Sequence, residues 1–189
     1  GGGRSSGRET IGRVAAGAIA SKILDQLGIK ILTYTKSIGD ITADPTCFDR
    51  SVIMENPFYM PDADAAKKAG EFLEECMKNE DSSGGSIECV IQNMPAGIGE
   101  PVFEKLSANL GKAILSIGAV KAFEIGDGTA VAHALGHTNN DQYTRDPDGK
   151  IIKLTNHSGG ILGGISDGSD ILLRVSVKPT PSISREQSP

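Results

Sequence analysis

The residues best suited to chemistry lie near the end of the chain, in a glycine-rich segment at positions 155–182. Glycine permits positive φ angles and lets the backbone approach a ligand closely. Lys178 follows an apolar strand, and Pro179 and Pro181 stiffen the segment around it. A cation beside exposed backbone amides favours an anion, most simply a phosphate group, although a plain loop and hairpin explains the stretch equally well. Four glycines surround a two-residue apolar island here: Gly159, Gly160, Gly163 and Gly164.

A second group of residues suited to anions lies at the start of the chain. Arg4, Ser5 and Ser6 precede a predicted helix, and Glu9 follows Ser6 by three positions, which is the spacing of a capping box. The free amides at a helix N-terminus attract negative charge. A well-capped helix with surface arginines is the alternative interpretation, and such helices are commoner than anion sites.

The remaining polar groups give weaker indications. His133 and His137 have the spacing of metal ligands on a helix, but the glutamate between them and a third ligand are missing. The segment 146–149 is predicted to be a turn rather than a calcium loop. His157 has the best functional claim among the histidines, and a loop histidine bonded to backbone fits as well. No metal site is predicted.

Helices of about 15–20 residues alternate with strands along the chain, which indicates an α+β class with antiparallel pairing. The first helix contains only small residues at positions 15–18 and is expected to be buried. An exposed loop is expected at 136–149. Strands are predicted at 29–42, 86–93, 120–125, 151–154 and 171–177, and helices at about 7–27, 62–79, 101–117 and 130–135.

Length and composition predict one domain over residues 1–189 with a core of Ile, Leu, Val and Ala, because aromatic residues make up only 4%. The net charge of -5 argues against nucleic acid as a partner. Cys47, Cys76 and Cys89 form no Cys-x-x-Cys pair, which favours a reducing, cytoplasmic location. No apolar run approaches the ~18 residues of a membrane span, so no membrane partner is expected.

Several longer motifs follow one another through essentially the whole chain, and their order makes them jointly specific. Gly7 departs mildly from the first motif, where alanine is usual. The motifs are Gly1-Gly2-Gly3-Arg4-Ser5-Ser6-Gly7-Arg8-Glu9-Thr10, Arg13-Val14-Ala15-Ala16-Gly17-Ala18, Pro95-Ala96-Gly97-Ile98-Gly99-Glu100-Pro101, Phe123-Glu124-Ile125-Gly126-Asp127-Gly128, Asn156-His157-Ser158-Gly159-Gly160-Ile161-Leu162-Gly163-Gly164-Ile165-Ser166 and Lys178-Pro179-Thr180-Pro181-Ser182-Ile183.

This series resembles the chorismate synthases. The resemblance implies a lyase that eliminates phosphate from 5-enolpyruvylshikimate 3-phosphate, an anionic small molecule, to give chorismate. It implies reduced FMN as the cofactor, although the reaction has no net redox change. It further implies a helical layer packed between antiparallel β-sheets, assembled as a homotetramer.

The resemblance also implies which residues bind the flavin. The two stretches that favour anions would form opposite walls of one FMN pocket. Ser6 matches a serine that the family places close to flavin and substrate, and it is the candidate catalytic residue. The implied FMN contacts are Arg4, Ser5, Ser6, Gly118, Ala119, Gly163, Lys178, Pro179, Thr180, Pro181 and Ser182.

The family pattern extends beyond these 189 residues at both ends. Its preceding part carries catalytic histidines and substrate-binding arginines, and its following part carries an arginine and an aspartate near the flavin. The chain is therefore expected to fold with little or no activity of its own. Alternatives are a non-catalytic flavin-binding or assembly core, and an FMN oxidoreductase. Some family members reduce flavin with NADPH, but no nicotinamide motif supports that activity here.

Overall fold

The computed structural model describes residues 2–187, so Gly1, Ser188 and Pro189 of the predicted motif and domain lie outside the described residues. Short 3₁₀ helices occupy several connections, including Gly3–Ser5, Gly7–Glu9 and Gly128–His133. The α-helices and strands in the described part are α1 Thr10–Gln26, β1 Lys30–Ile38, β2 Ile41–Thr42, α2 Ala63–Lys78, β3 Gly85–Gln92, α3 Leu106–Leu115, β4 Val120–Ile125, α4 Gly136–Asn139, β5 Tyr143–Arg145, β6 Ile151–Lys153, β7 Ile161–Leu162, β8 Ile165–Ser166 and β9 Ile171–Val177.

Five strands form the main sheet in the order β2-β1-β3-β9-β4. β1 turns back into β2 with Ile38 opposite Ile41, and this pair is antiparallel. Two further antiparallel ribbons consist of β5 with β6 and of β7 with β8. Together with the helices, these sheets confirm the predicted α+β class.

The bounds of β4 and β9 agree with the sequence prediction, and those of α2 agree to within one residue at each end. Several other elements differ from it, and the helix expected at 130–135 is a 3₁₀ helix at Gly128–His133. The strand expected at 29–42 is broken by Gly39, whose φ of 55° turns the chain into a hairpin. The helix expected from Pro101 begins only at Leu106, because Val102 has a φ of 64° that no helix accommodates. The loop expected at 136–149 contains α4 and β5.

By its internal contacts the chain divides into two compact units, and the prediction of a single domain over residues 1–189 stays a prediction. Each unit is assembled from three separate stretches, so neither is a continuous piece of sequence. The first unit comprises Gly1–Leu32, Cys89–Gly118 and Phe123–Arg174, and the second comprises Thr33–Glu88, Ala119–Ala122 and Val175–Pro189.

The second unit has an aliphatic core at the start of α2. Met60 is fully buried there, and four buried alanines and three partly buried residues pack around it. Asp62 caps the helix by accepting hydrogen bonds from the N–H groups of Asp64 and Ala65, both at 3.0 Å, and it also accepts one from Asp44 N. Hydrogen bonds from Ala65 and Asp44 lower the pKa of Asp62, so the cap stays ionised. The packed residues are Ala43, Ala65, Ala66, Ala69, Ile38, Ile41 and Phe58.

Helix α1 is exposed, contrary to the prediction of a buried helix. None of its residues is buried, so its small residues do not serve close packing within residues 2–187. Its start also differs from the prediction, because Ser6 accepts a hydrogen bond from Arg8 N in a separate 3₁₀ turn and the helix begins at Thr10. The large apolar residues on and just after α1 are 57–76% exposed: Ile11, Val14, Ile19, Ile23 and Leu27.

Replacing Met60 by alanine should destabilise the chain by about 2–5 kcal/mol, since it removes a fully buried side chain and leaves a cavity. Met77→Ala is the matched control, because Met77 lies on α2 and is 69% exposed. Urea unfolding followed by circular dichroism measures both free energies. Equal losses in the two variants would contradict this assignment of the core.

Candidate functional site

The glycine-rich segment forms a short hairpin in the first unit. Gly163 and Gly164 connect β7 to β8 and have φ angles of 61° and 94°, and such two-residue turns need positive φ at both positions. A Cβ atom on Gly164 would collide with the side chain of Lys105, whereas a Cβ on Gly163 would meet nothing within 4 Å. The turn is therefore packed at Gly164 and open at Gly163, where a ligand can approach the backbone.

Two of the quoted motifs meet at this hairpin. Ser166 Oγ donates to Pro95 O at 2.6 Å and accepts from Ile98 N at 2.9 Å. The Ser166 backbone exchanges two further bonds with Gly97 and Ile98, both at 2.8 Å. At the tip, Leu106 N donates to Gly164 O at 2.7 Å. The motif at 95–101 thus holds one strand of the hairpin, and the first residue of α3 holds its turn.

A buried ammonium group lies beside the base of the hairpin. The side chain of Lys153 is only 6% exposed, and its Nζ pairs with Asp141 Oδ2 at 3.0 Å and Asp167 Oδ2 at 2.8 Å. It also donates to Asn156 Oδ1 at 3.0 Å and Ser158 Oγ at 2.8 Å. We refer to these five residues as the Lys153 cluster.

The three ionisable groups of the Lys153 cluster have shifted pKa values. Burial alone would raise the pKa of Asp141, but hydrogen bonds from Lys153 and from the N–H groups of Ser158 and His157 hold it well below its usual value. Burial would likewise raise the pKa of Asp167, and hydrogen bonds from Lys153 and Ser169 lower it. Burial would lower the pKa of Lys153, but the two carboxylates raise it. The cluster is fully ionised near neutral pH.

Carboxylates bind both the ring and the backbone N–H of His157. Its ring Nδ1 lies 2.6 Å from Asp127 Oδ2, while Asp127 N donates to His157 O at 3.0 Å. His157 N donates to Asp141 Oδ1 at 2.7 Å. Both interpretations of this histidine therefore apply in part: its backbone is bonded, and its ring is oriented by Asp127, which belongs to the motif at 123–128.

The predicted flavin residues of the first unit lie on exposed turns. The side chain of Arg4 is 93% exposed and forms a long ion pair with Glu9, at 3.6 Å. Ser5 and Ser6 belong to the 3₁₀ turns before α1, and Gly118 is exposed after α3. Arg13 on α1 donates to Ser116 O at 2.8 Å and to Ser116 Oγ at 3.0 Å, which places the start of α1 beside the turn that contains Gly118.

The predicted flavin residues of the second unit are brought together. Lys178 N donates to Ala119 O at 2.9 Å, and Ala119 itself has a φ of 70°. Ser82 Oγ donates to Thr180 O at 2.7 Å, and a Cβ on Gly84 would press against Pro179. The segment Lys178, Pro179, Thr180, Pro181 and Ser182 is thus anchored at two points. The opposition of this segment to Arg4 across one pocket stays a prediction.

Sequence reasoning missed the Lys153 cluster. Its members come from a predicted loop, from the end of a three-residue strand and from the glycine-rich segment, and no spacing rule joins them. Two features of the sequence could have indicated it: Lys153 lies just before the polar residues 155–158, and Asp141 ends the polar run 139–141. A cavity of about 810 Å³ adjoins the cluster and includes Lys153 and Asp167 in its lining.

The structure does not place His133 and His137 as their spacing in the sequence suggested. His133 ends a 3₁₀ helix and His137 lies on α4, so the two do not share one helix face. Within residues 2–187, no group of three His, Cys, Asp or Glu side chains is placed to hold a metal ion. None of the helices in that range is both long and apolar enough to cross a membrane.

A family model described as chorismate synthase matches residues 1–189. The chain belongs to the chorismate synthase family. Two similar curated proteins are the chorismate synthases of Lachnoclostridium phytofermentans and Agathobacter rectalis, which are 63% and 62% identical to it over 187 residues. Each alignment covers 99% of this chain and 51% of the relative. The chain thus spans about half the length of these curated relatives.

A solved structure supports the same family at the level of the fold. It is described as the crystal structure of chorismate synthase and superposes with a TM-score of 0.85 at 29% identity. The superposition covers 92% of this chain and 56% of that chain. The resemblance inferred from the motifs is confirmed.

The Lys153 cluster should make stability depend on pH. Because the folded chain lowers the pKa values of Asp141 and Asp167, the unfolded chain binds more protons as the pH falls through about 4. Their contribution is therefore complete above about pH 5 and is lost progressively below it. Urea unfolding at a series of pH values measures this slope.

Two variants assign the slope to the cluster. Asp141→Asn should flatten the pH dependence, because it removes one of the two titrating carboxylates. Asp148→Asn is the control, since Asp148 is exposed in the turn between β5 and β6. An unchanged slope in the Asp141 variant would show that acid sensitivity arises elsewhere.

Proposed function

We propose that the chain contributes to an FMN-dependent lyase that eliminates phosphate from 5-enolpyruvylshikimate 3-phosphate to give chorismate, in the shikimate pathway of aromatic amino acid biosynthesis. The observation that carries the proposal is the match of the chorismate synthase model to residues 1–189. The activity is proposed for a chain of the relatives' length, in which these residues supply much of the flavin site. Reduced FMN, when bound, would supply electron density toward the C–O bond that breaks.

Two cations are proposed to hold the phosphate of the cofactor. Arg4 is almost fully exposed, and its pair with Glu9 is of the surface type, worth about 0–1 kcal/mol. An incoming phosphate can replace such a pair at little cost. Lys178 has its backbone fixed by Ala119 O, while its Nζ makes a long contact of 3.4 Å with Pro179 O. Both groups suit a dianion.

Backbone groups are proposed to face the flavin ring system. Gly163 has open space where its missing side chain would stand, which suits a flat ligand lying against the peptide plane. Gly118 and Ala119 are exposed at a turn where Ala119 adopts a left-handed conformation. Taken separately within its own unit, each of these backbone groups suits contact with a flavin ring.

Ser6 is proposed to act near the reacting atoms. Its Oγ accepts a hydrogen bond from Arg8 N at 3.3 Å, so its own hydrogen can be donated to an anionic substrate. The arginine-rich surroundings at positions 4–13 would offset the charge that develops on the departing phosphate.

A second candidate is a non-catalytic assembly core of the same enzyme. The exposed apolar residues of α1 support it, because such a surface is typical of an interaction site. The proposed protein is cytoplasmic and homotetrameric in either case. Flavin binding distinguishes the candidates, since an assembly core needs no cofactor.

Lys178→Met should weaken binding of reduced FMN about tenfold or more, as expected for loss of a charge-assisted contact of at least ~1.4 kcal/mol. Anaerobic titration calorimetry measures the dissociation constant. Lys121→Met is the control, because Lys121 is an exposed lysine of β4 in the same unit and is not among the predicted contacts. Binding by Lys178→Met as tight as by Lys121→Met would exclude Lys178 from the site.

Lyase activity is tested by following chorismate absorbance with reduced FMN and 5-enolpyruvylshikimate 3-phosphate. The 189 residues alone should give little or no turnover. Turnover should appear when the chain is extended to its relatives' length with the remaining segments of the Lachnoclostridium phytofermentans protein. A folded, FMN-binding chimera without turnover would overturn the lyase proposal, and appreciable turnover by the 189 residues would contradict the need for those segments.

A further inference from the structure

The hairpin that presents Gly163 is too short to hold its own shape. β7 and β8 have two residues each and only two cross-strand pairs, Ile161 with Ser166 and Leu162 with Ile165. Even longer isolated two-stranded hairpins are marginal in water. The direction in which Gly163 points therefore depends on outside contacts, namely those of Gly164 and Ser166 described above and those at the two ends of the hairpin.

Both ends are held by groups that meet at one buried cation. On the entering side, Asn156 Oδ1 accepts from Gly160 N at 2.9 Å and from Lys153 Nζ at 3.0 Å. On the leaving side, Asp167 accepts from the same Nζ at 2.8 Å, and its backbone N donates to Gly160 O at 3.0 Å. Lys153 thus joins the residues that immediately flank the hairpin.

The geometry leaves this ammonium group little freedom. Four acceptor atoms lie within 3.0 Å of Nζ, and an ammonium group has three hydrogens to donate. Moving Lys153, Asp141 or Asp167 away from the cluster would leave a buried carboxylate without its counter-charge, which is strongly unfavourable. A contact of this kind fixes position as well as adding stability.

We propose that Lys153 is a positioning residue for the flavin site: it fixes both ends of the β7–β8 hairpin so that Gly163 presents its backbone to FMN. The inference rests on the proposed function, because FMN contact at Gly163 is part of that function. Lys153 itself touches only the cluster and acts through the hairpin.

The experiment must separate positioning from stability. Lys153→Met leaves two buried carboxylates uncompensated, so it should lower both the free energy of unfolding and the affinity for reduced FMN. The triple variant Lys153→Met with Asp141→Asn and Asp167→Asn removes those charges together. It should recover most of the stability, yet its FMN dissociation constant should remain at least tenfold above that of the unchanged chain.

A second readout reports on the hairpin without ligand. Amide hydrogen exchange at residues 161–166 should be at least tenfold faster in the triple variant, while exchange in α2 should stay unchanged. Lys150→Met is the control, because Lys150 is an exposed lysine close to Lys153 in the chain, and it should alter neither measurement. Anaerobic calorimetry and exchange mass spectrometry suffice for all four chains.

The outcomes distinguish the two proposals. A triple variant that binds FMN within twofold of the unchanged chain, or whose hairpin exchanges as slowly, overturns the positioning role and leaves the proposed function standing. A folded chain of the relatives' length that carries these residues unchanged and binds no FMN overturns the flavin proposal, and with it the role of Lys153. The triple variant retains every proposed flavin contact, so a loss of FMN affinity in this variant cannot come from removal of a contact residue.

Discussion

The arrangement of the first unit depends on one buried ammonium group. Lys153 has to find counter-charges because an isolated cation in that position would be prohibitively unfavourable. Meeting that requirement draws together a loop aspartate with an asparagine, a serine and an aspartate of the glycine-rich segment. These contacts restrict the orientation of the short β7–β8 hairpin. Ion pairs with Lys153 thus help to hold a hairpin that has too few cross-strand hydrogen bonds to hold itself.

The motifs that identify the family have structural explanations in this chain. The motif at 95–101 is built around backbone groups that complete the hydrogen bonds of Ser166. The motif at 123–128 supplies Asp127 to His157, and its Gly126 packs against the backbone of His157 so closely that a side chain would not fit. Separate sequence signatures are therefore parts of one packed region in the first unit.

Much of the architecture was predictable because it follows local rules. Asp62 before an apolar stripe predicted α2, and the β-branched runs predicted β4 and β9. The elements that differ depend on single backbone conformations, such as positive φ at Val102, that no propensity scale records. The contacts of the Lys153 cluster join residues up to 17 positions apart, as between Ser158 and Asp141, so only the folded chain shows them. The residues themselves indicated anion sites around Arg4 and Lys178, and family resemblance assigned both to FMN.

Helix α1 also has a consequence for handling the protein. A helix with its large aliphatic side chains in water offers a surface to hydrophobic dyes, to detergents and to other copies of itself. Solutions of the 189 residues are thus expected to be limited by colloidal behaviour before they are limited by unfolding. Mild surfactants and low ionic strength would then extend the usable range because they weaken contact between apolar surfaces, and low protein concentration would do so by reducing association.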